Sequence, residues 1–428
     1  MPTTRRQFIK RSAGAVTLSM MMPRFWLGDC LAQQPAAFSD KKLVIIQFQG
    51  GNDGVNTVIP YTNDRYFSLR PAISFRDTEL RDAQGNSTII SNSLGLHPML
   101  GEIKSLYDAG KVAVVNGVGY QNQSLSHFLG TDIWMTANTT GGHGIGWLGK
   151  YVDAAFFGRS ALSAVNIGGT LPKAFFSERV VVPSIGNFAA YTYQTDNRFS
   201  GDRNNQLNAF RANASRIFEP SSYADLLTKA ALESVNGAQA VTTAVAGYSS
   251  TVTYPEGNSL ANALKMAAQI FTTVPDTNLC YASIGGFDNH SQQIGNDQDP
   301  TNKLLGPHAS LLRSFSQAVK AFYDDMEGHG LRDLVIMTFS EFGRRLNENA
   351  SFGTDHGTSS LMFVIGNPVK GGLYGTYPSL AATDLDNAGN LRHNVDFRAV
   401  YSTILDRWLG VDSSTILGGT FENIGFLA

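Results

Sequence analysis

Five short apolar runs constrain this chain more than any other feature. They are LVIIQF (43–48), KVAVVNGVG (111–119), LCYASIGG (279–286), DLVIMTFS (333–340) and LMFVIG (361–366). Each holds four to eight apolar residues bounded by Gly, Asn, Asp or Lys, without strict alternation. A strand that shows water neither face reads this way, so the runs predict a parallel sheet covered on both sides. Between them lie amphipathic helical segments. In 99–111, Met99, Ile103, Leu106 and Tyr107 share one face. Segments 258–273 and 304–330 repeat apolar residues at three and four. Segment 395–410 ends at Gly410, just past its last turn. Strand–helix alternation predicts a three-layer α/β fold, with a mostly parallel central sheet and helices on both faces. Residues 186–257 depart from this pattern. They are rich in Asn, Ser, Ala and Thr and read as a polar helical insertion over the sheet rather than a separate domain.

The N-terminus carries a different signal. Arg5 and Arg6, then Phe8, Ile9 and Lys10, precede a mildly apolar stretch broken by Pro23 and Arg24. This predicts a twin-arginine export signal over residues 1–34, read by the twin-arginine export machinery, and a folded domain over 35–428. The expected location is periplasmic or secreted. The apolar stretch is too short for a stable membrane span, so none is expected in the mature form. Cleavage is expected near Leu31-Ala32-Gln33, which would leave Cys280 as the one cysteine and no internal disulfide. The net charge of -2 points to no nucleic-acid partner.

The polar residues that follow the runs matter most for chemistry. LVIIQFQGGND puts Asp53 on a tight turn after the first run. LCYASIGGFDNH puts Asp288 and His290 after another, and DLVIMTFSEFGRR puts Glu341 and Arg344 after a third. VVNGVGYQNQSLSH brings Ser124, Ser126 and His127 to a helix start. FGTDHGTSS sets Asp355 and His356 before the next run. In open α/β sheets ligands bind outside the carboxyl ends of the strands. Asp, Glu and His together suit Zn²⁺ and its neighbours, and carboxylates alone suit Ca²⁺ or Mg²⁺. Each residue also has a plainer reading. Asp53 and Asp288 are ordinary turn residues, Ser126 is a helix N-cap, and Glu341 pairs with Arg344 or Arg345.

In this order, the motifs QGGNDGVNTVIPY, LGLHPML, SHFLGTDIW, GWLGKYVD, GGFDNHSQQ, SEFGRR, TDHGTSSLMFVIG and DFRAVYSTILDRWLG resemble a family of twin-arginine-exported bacterial proteins of unknown function. That family falls within the alkaline phosphatase and sulfatase superfamily. The resemblance implies a hydrolase of a phosphate or sulfate ester that uses one or two divalent ions, Zn or Ca. Asp53, Asp288, His290, Glu341 and His356 are the implied ligands. Ser126 is the implied nucleophile, with Ser124 second, and His127 or Arg344 would hold the substrate's negative charge. The expected substrate is a small anionic ester or a glycan. The chain departs from the superfamily in two places. Glu341-Phe342 stands where an Asp-His pair is usual, and Asp288 and His290 are two apart rather than four. These departures leave one ion or two, with His127 as a substitute ligand. The competing reading is a non-catalytic exported protein that keeps the fold and binds a surface glycan or a partner protein. His97 reads as a helix cap, His143 as a rim or bystander residue, and His308, His329 and His393 as core or surface. Trp134 and Trp147 read as wedges between loops and sheet.

Overall fold

The computed structural model describes residues 41–160, 162–191, 198–199, 201–216, 223–295 and 300–428. All of these belong to the compact unit Ser39–Ala428. The expected export signal lies outside the described residues. Eight strands build the main sheet. They are β1 (Lys42–Gln49), β2 (Val112–Gly119), β3 (Ala164–Asn166), β4 (Leu279–Gly285), β5 (Leu334–Ser340), β6 (Ser360–Ile365), β7 (Gly372–Tyr374) and β8 (Val395–Asp396). The order across the sheet is β7-β2-β6-β5-β1-β4-β3, with β8 also paired to β2. Strand β6 runs antiparallel to β2 and β5, and every other pairing is parallel.

The unbroken apolar runs are explained by two cores. On β1, Val44, Ile46 and Phe48 face one of them while Leu43 and Ile45 face the other. The first core is closed by α1 (Gly101–Asp108), α6 (Ser259–Thr273) and α7 (Pro307–Gly328), through residues such as Ile103, Leu264 and Phe315. The second is closed by α2 (His127–Thr136), α3 (Trp147–Ala155) and α8 (Phe397–Thr403). Trp134 and Trp147 are buried there against Phe397 and Tyr401, so they pack helix against helix instead of wedging loops against the sheet. Burying each such side chain contributes about 1.5–3 kcal/mol, so neither sheet face can be left open. The segment 186–257 supplies α4 (Asp202–Ala214) and α5 (Tyr223–Gly247). Helix α5 packs on α6, and its Val241 enters the first core.

The topology positions the site. β1, β2, β4 and β5 are parallel, so the segments after them leave at one edge. β6 is reversed, so the segment before it reaches the same edge. All five polar segments singled out above therefore meet there. Cys280 is buried and free, and burial pushes its thiol pKa up. Among the described residues no helix is long and apolar enough to cross a membrane.

Candidate metal centre

Two glycines let the edge close. Gly50 (φ 117°) and Gly51 (φ 76°) lie in the left-handed region that side chains avoid. A Cβ on Gly50 would sit 2.5 Å from the Asp288 amide nitrogen, and one on Gly51 would sit 2.3 Å from the Phe342 ring. The turn after β1 thus packs directly on the turns after β4 and β5.

At the centre stands Asp288. Its Oδ1 lies 2.6 Å from Arg344 Nη2, 3.0 Å from His290 Nε2 and 3.2 Å from His356 Nε2. Its Oδ2 lies 3.3 Å from His127 Nε2. The Nε2 atoms of His290 and His356 are 2.9 Å apart. One ligand atom from each of His127, Asp288 and His356 falls within 4.8 Å of the other two. Burial pushes the Asp288 carboxyl up, but hydrogen bonds from Arg344 and His356 and nearby positive charge outweigh it, holding the group at about 2. Burial also lowers the pKa of His356, which favours the neutral, ligating imidazole. The far nitrogen of each ring has its own partner. His127 Nδ1 meets Glu341 Oε1 at 2.9 Å, His356 Nδ1 meets the Leu125 carbonyl at 2.8 Å, and His290 Nδ1 meets Asp355 Oδ1 at 3.2 Å. Phe342 packs its ring, tilted, against both His127 and His356, at 4.8 and 4.5 Å between centroids.

These residues fit a divalent cation. His127 Nε2 is buried, has no hydrogen-bond partner and points at the carboxylate of Asp288. A ring nitrogen in that state is stabilised by a ligated ion and is costly without one.

Ser126 begins α2, directly before His127, and its hydroxyl does not cap the helix. It is exposed, between Leu125, whose carbonyl holds His356, and His127 in the cluster. Ser124 Oγ instead accepts from the Ser126 amide at 3.2 Å.

Three expected roles meet a different geometry. Asp53 was expected to ligate an ion. It is buried, and its Oδ2 accepts from Arg70 Nη1 at 2.6 Å and Gln293 Nε2 at 2.7 Å. It is a structural counter-ion because Arg70, itself fully buried, needs one. Arg344 was expected to hold substrate. It is buried, with its side chain 0% exposed, and its nitrogens reach the carbonyls of Gly50, Gly51, Phe287 and Thr354 as well as Asp288, so it braces the turns instead of facing outward. Glu341 was expected to ligate a second ion. It is buried behind His127 and also accepts from the Gly50 amide at 2.8 Å. The sequence reading missed Arg70 and Gln293, which no local motif marks. Asp355 stood beside a proposed ligand without being given a role. His97 does cap, its Nδ1 accepting from the Met99 amide at 3.1 Å. His308 is a core residue whose Nε2 meets Asn52 Oδ1 at 3.1 Å.

The family described as "Protein of unknown function (DUF1501)" matches residues 112–420, and the chain belongs to it. No curated protein matches the chain. Among solved structures it is similar to a protein in the alkaline phosphatase superfamily from Vibrio parahaemolyticus, at 10% identity and a TM-score of 0.35, covering 78% of this chain and 62% of that one. A second is the soluble domain of lipooligosaccharide phosphoethanolamine transferase A from Neisseria meningitidis, at 10% identity, TM-score 0.36 and 78% of each chain. A third is the PsFucS1 sulfatase from Pseudoalteromonas sp., at 13% identity and TM-score 0.36, covering 91% of this chain and 72% of that one. The chain thus spans just under two thirds of the length of the first of these.

Proposed function

We propose that this protein is an exported, metal-dependent hydrolase of a phosphate or sulfate ester. The observation that carries the reading is the convergence of His127, His290, His356 and Asp288 at the strand-end edge beside the exposed Ser126. The motif resemblance to the alkaline phosphatase and sulfatase superfamily supports the reaction class. His127, His356, Asp288 and His290 would hold the ion. A divalent ion bound there supplies Lewis-acid polarisation of an ester oxygen and lowers the pKa of a hydroxyl or water. The protein's own contribution is placement. Arg344 fixes the Asp288 carboxylate, Phe342 wedges two imidazoles, and the first turn of α2 presents Ser126 where amide dipoles favour an anion. Phe128, 89% exposed in that same turn, offers an apolar surface to the organic part of the ester.

The test is elemental analysis of protein made through its native export route, followed by phosphate and sulfate ester panels with and without chelator. Bound metal with chelator-sensitive turnover is expected, and Ser126→Ala should abolish turnover with the fold intact. Metal-free protein that hydrolyses neither ester class rejects the proposal. Bound metal without turnover of either ester supports the non-catalytic binding protein instead.

A further inference from the structure

Resting on that reading of the edge as a metal centre, we infer that it is a nitrogen-rich site for one ion of the Zn²⁺ class, with His290 among its donors and with Glu341 and Asp355 as positioning residues rather than ligands. The inference comes from asking which nitrogen of each histidine carries its proton. A carboxylate or carbonyl oxygen only accepts hydrogen bonds. His127 Nδ1 faces the Glu341 carboxylate, His290 Nδ1 faces the Asp355 carboxylate and His356 Nδ1 faces the Leu125 carbonyl. With a cation held between the rings and Asp288, each neutral ring keeps its hydrogen on Nδ1, where these oxygens accept it, and offers its lone pair from Nε2. All three Nε2 atoms turn toward Asp288, at 3.3, 3.0 and 3.2 Å from its oxygens.

Without an ion an Nε2–H can instead donate to Asp288, and in the Nδ1–H form the rings crowd one another unless a cation stands between them. Two of the lone pairs, those of His290 and His356, are 2.9 Å apart. When both hydrogens are on Nδ1, neither nitrogen donates to the other, and two acceptors at that distance repel. A shared positive centre turns the repulsion into coordination. Three histidines with a neighbouring acceptor on the far nitrogen also match the way ligating imidazoles are oriented and made more basic.

The donor set then selects the ion. Ca²⁺ takes six to eight oxygens, and Mg²⁺ also demands oxygen ligands. Here the converging atoms are three nitrogens and one carboxylate. The other carboxylates at this edge are committed, Asp53 to Arg70 and Gln293, Glu341 to His127 and the Gly50 amide. Imidazole-rich sites suit Zn²⁺ and its first-row neighbours. Among the described residues one group of three or more His, Cys, Asp or Glu side chains has ligand atoms that all converge, His127, Asp288 and His356, with His290 Nε2 beside it at 3.0 Å from Asp288, and this points to one ion.

The full chain, stripped of metal, is titrated with Zn²⁺, Co²⁺, Ca²⁺ and Mg²⁺, and imidazole tautomers are read by long-range ¹⁵N–¹H NMR in the Zn²⁺-loaded protein. One Zn²⁺ or Co²⁺ per chain is expected, undisturbed by Ca²⁺ or Mg²⁺ in about hundredfold excess. His127, His290 and His356 should show the Nδ1–H tautomer. Glu341→Ala and Asp355→Ala should each weaken Zn²⁺ binding about 10- to 100-fold. Glu341→Gln and Asp355→Asn, whose amide oxygens still accept, should recover most of that loss. Asp355 is about half exposed, so its variants report even if Glu341→Ala fails to fold. Equal affinity for Ca²⁺, two ions per chain, an Nε2–H tautomer, or Glu341→Gln as damaging as Glu341→Ala would each overturn the inference. Tight Zn²⁺ binding without ester turnover leaves it standing while the hydrolase reading falls. Turnover supported by Ca²⁺ does the reverse.

Discussion

Asp53 and Asp288 begin from the same local design and end in different roles. Each follows a Gly-Gly turn after a parallel strand, and each lies 2.6 Å from a fully buried arginine, Arg70 or Arg344. In both, burial pushes the carboxyl up and the neighbouring arginine pulls it back to about 2. The difference is exposure. The Asp53 side chain is 2% exposed and the Asp288 side chain 46%. The first carboxylate is spent on Arg70, Gln293 and, more distantly, the Asn56 amide. The second gives one contact to Arg344 and turns the rest of its surface to three imidazoles. An acid at a strand end becomes a ligand only where its arginine leaves oxygen lone pairs over. The two pairs are also linked. Arg70 holds the carbonyls of Arg345 and Leu346, immediately beyond Arg344, so the closed pair braces the open one.

The strongest way to break this comparison is Asp53→Asn. It keeps the shape but leaves the Arg70 charge uncompensated in the interior. Removing one partner of a buried pair costs about 3–5 kcal/mol. Urea unfolding of the variant should show a loss of that size, and metal per folded chain should stay unchanged. A stable Asp53→Asn protein that has lost its metal would make Asp53 a ligand after all.

Acid should find the same pair. The folded Asp53 carboxyl titrates at about 2 against 3.8 unpaired, so its contribution is complete above pH 3.8 and fades as pH falls toward 2. The expected loss is about 2 kcal/mol. His308 adds an earlier window. Burial lowers it to about 4 from 6.5, so its contribution is present above pH 6.5 and fades as pH falls toward 4. Chemical unfolding of the metal-free protein across pH 7 to 2 should show both windows, and Asp53→Asn should shrink the lower one to the smaller, solvent-screened part that Asp288 contributes. A lower window undiminished by the substitution would assign it to other carboxylates.

Residue type and strand boundaries made the sheet and the site edge legible. Apolar runs mark strands buried on both faces, and polar residues after them mark the edge, whatever the fold's finer path. The partner of each polar residue was not legible. Arg70 sits in DRYFSLRPAI with nothing to distinguish it from a solvated arginine. Its burial is decided by acceptors at 53, 345 and 346, which only the closed sheet brings within reach. Glu341 reads as a ligand by type, yet the amide of Gly50 and the ring of His127 reach it first. His127 was visible as a polar residue at a helix start, but its free Nε2 depends on Glu341, 214 positions away.

Gly51→Ala sharpens the comparison by pushing the two turns apart. Its φ of 76° disfavours any side chain, and the new Cβ would lie 2.3 Å from a Phe342 ring already packed on two histidines. Strain of this kind costs about 1–2 kcal/mol. The melting temperature should fall and Zn²⁺ binding should weaken with it. Unchanged binding would show that the Phe342 wedge does not set the imidazole positions.

The smallest stability change should come from Asp288→Asn, the same substitution at the open pair. The amide oxygen it introduces would still accept a hydrogen bond from Arg344, whose guanidinium also keeps its bonds to four backbone carbonyls. Losing the charge-assisted part of one half-exposed contact costs about 1 kcal/mol, reduced further by solvent screening. Metal affinity should nonetheless collapse, because a neutral amide replaces the one anionic donor. Thermal unfolding and Zn²⁺ titration of the two Asp→Asn variants side by side give opposite orders: Asp53→Asn worse in stability, Asp288→Asn worse in binding. If Asp288→Asn proved as destabilising as Asp53→Asn, the Arg344 charge would depend on its carboxylate as fully as Arg70 does, and exposure would no longer separate the structural acid from the functional one.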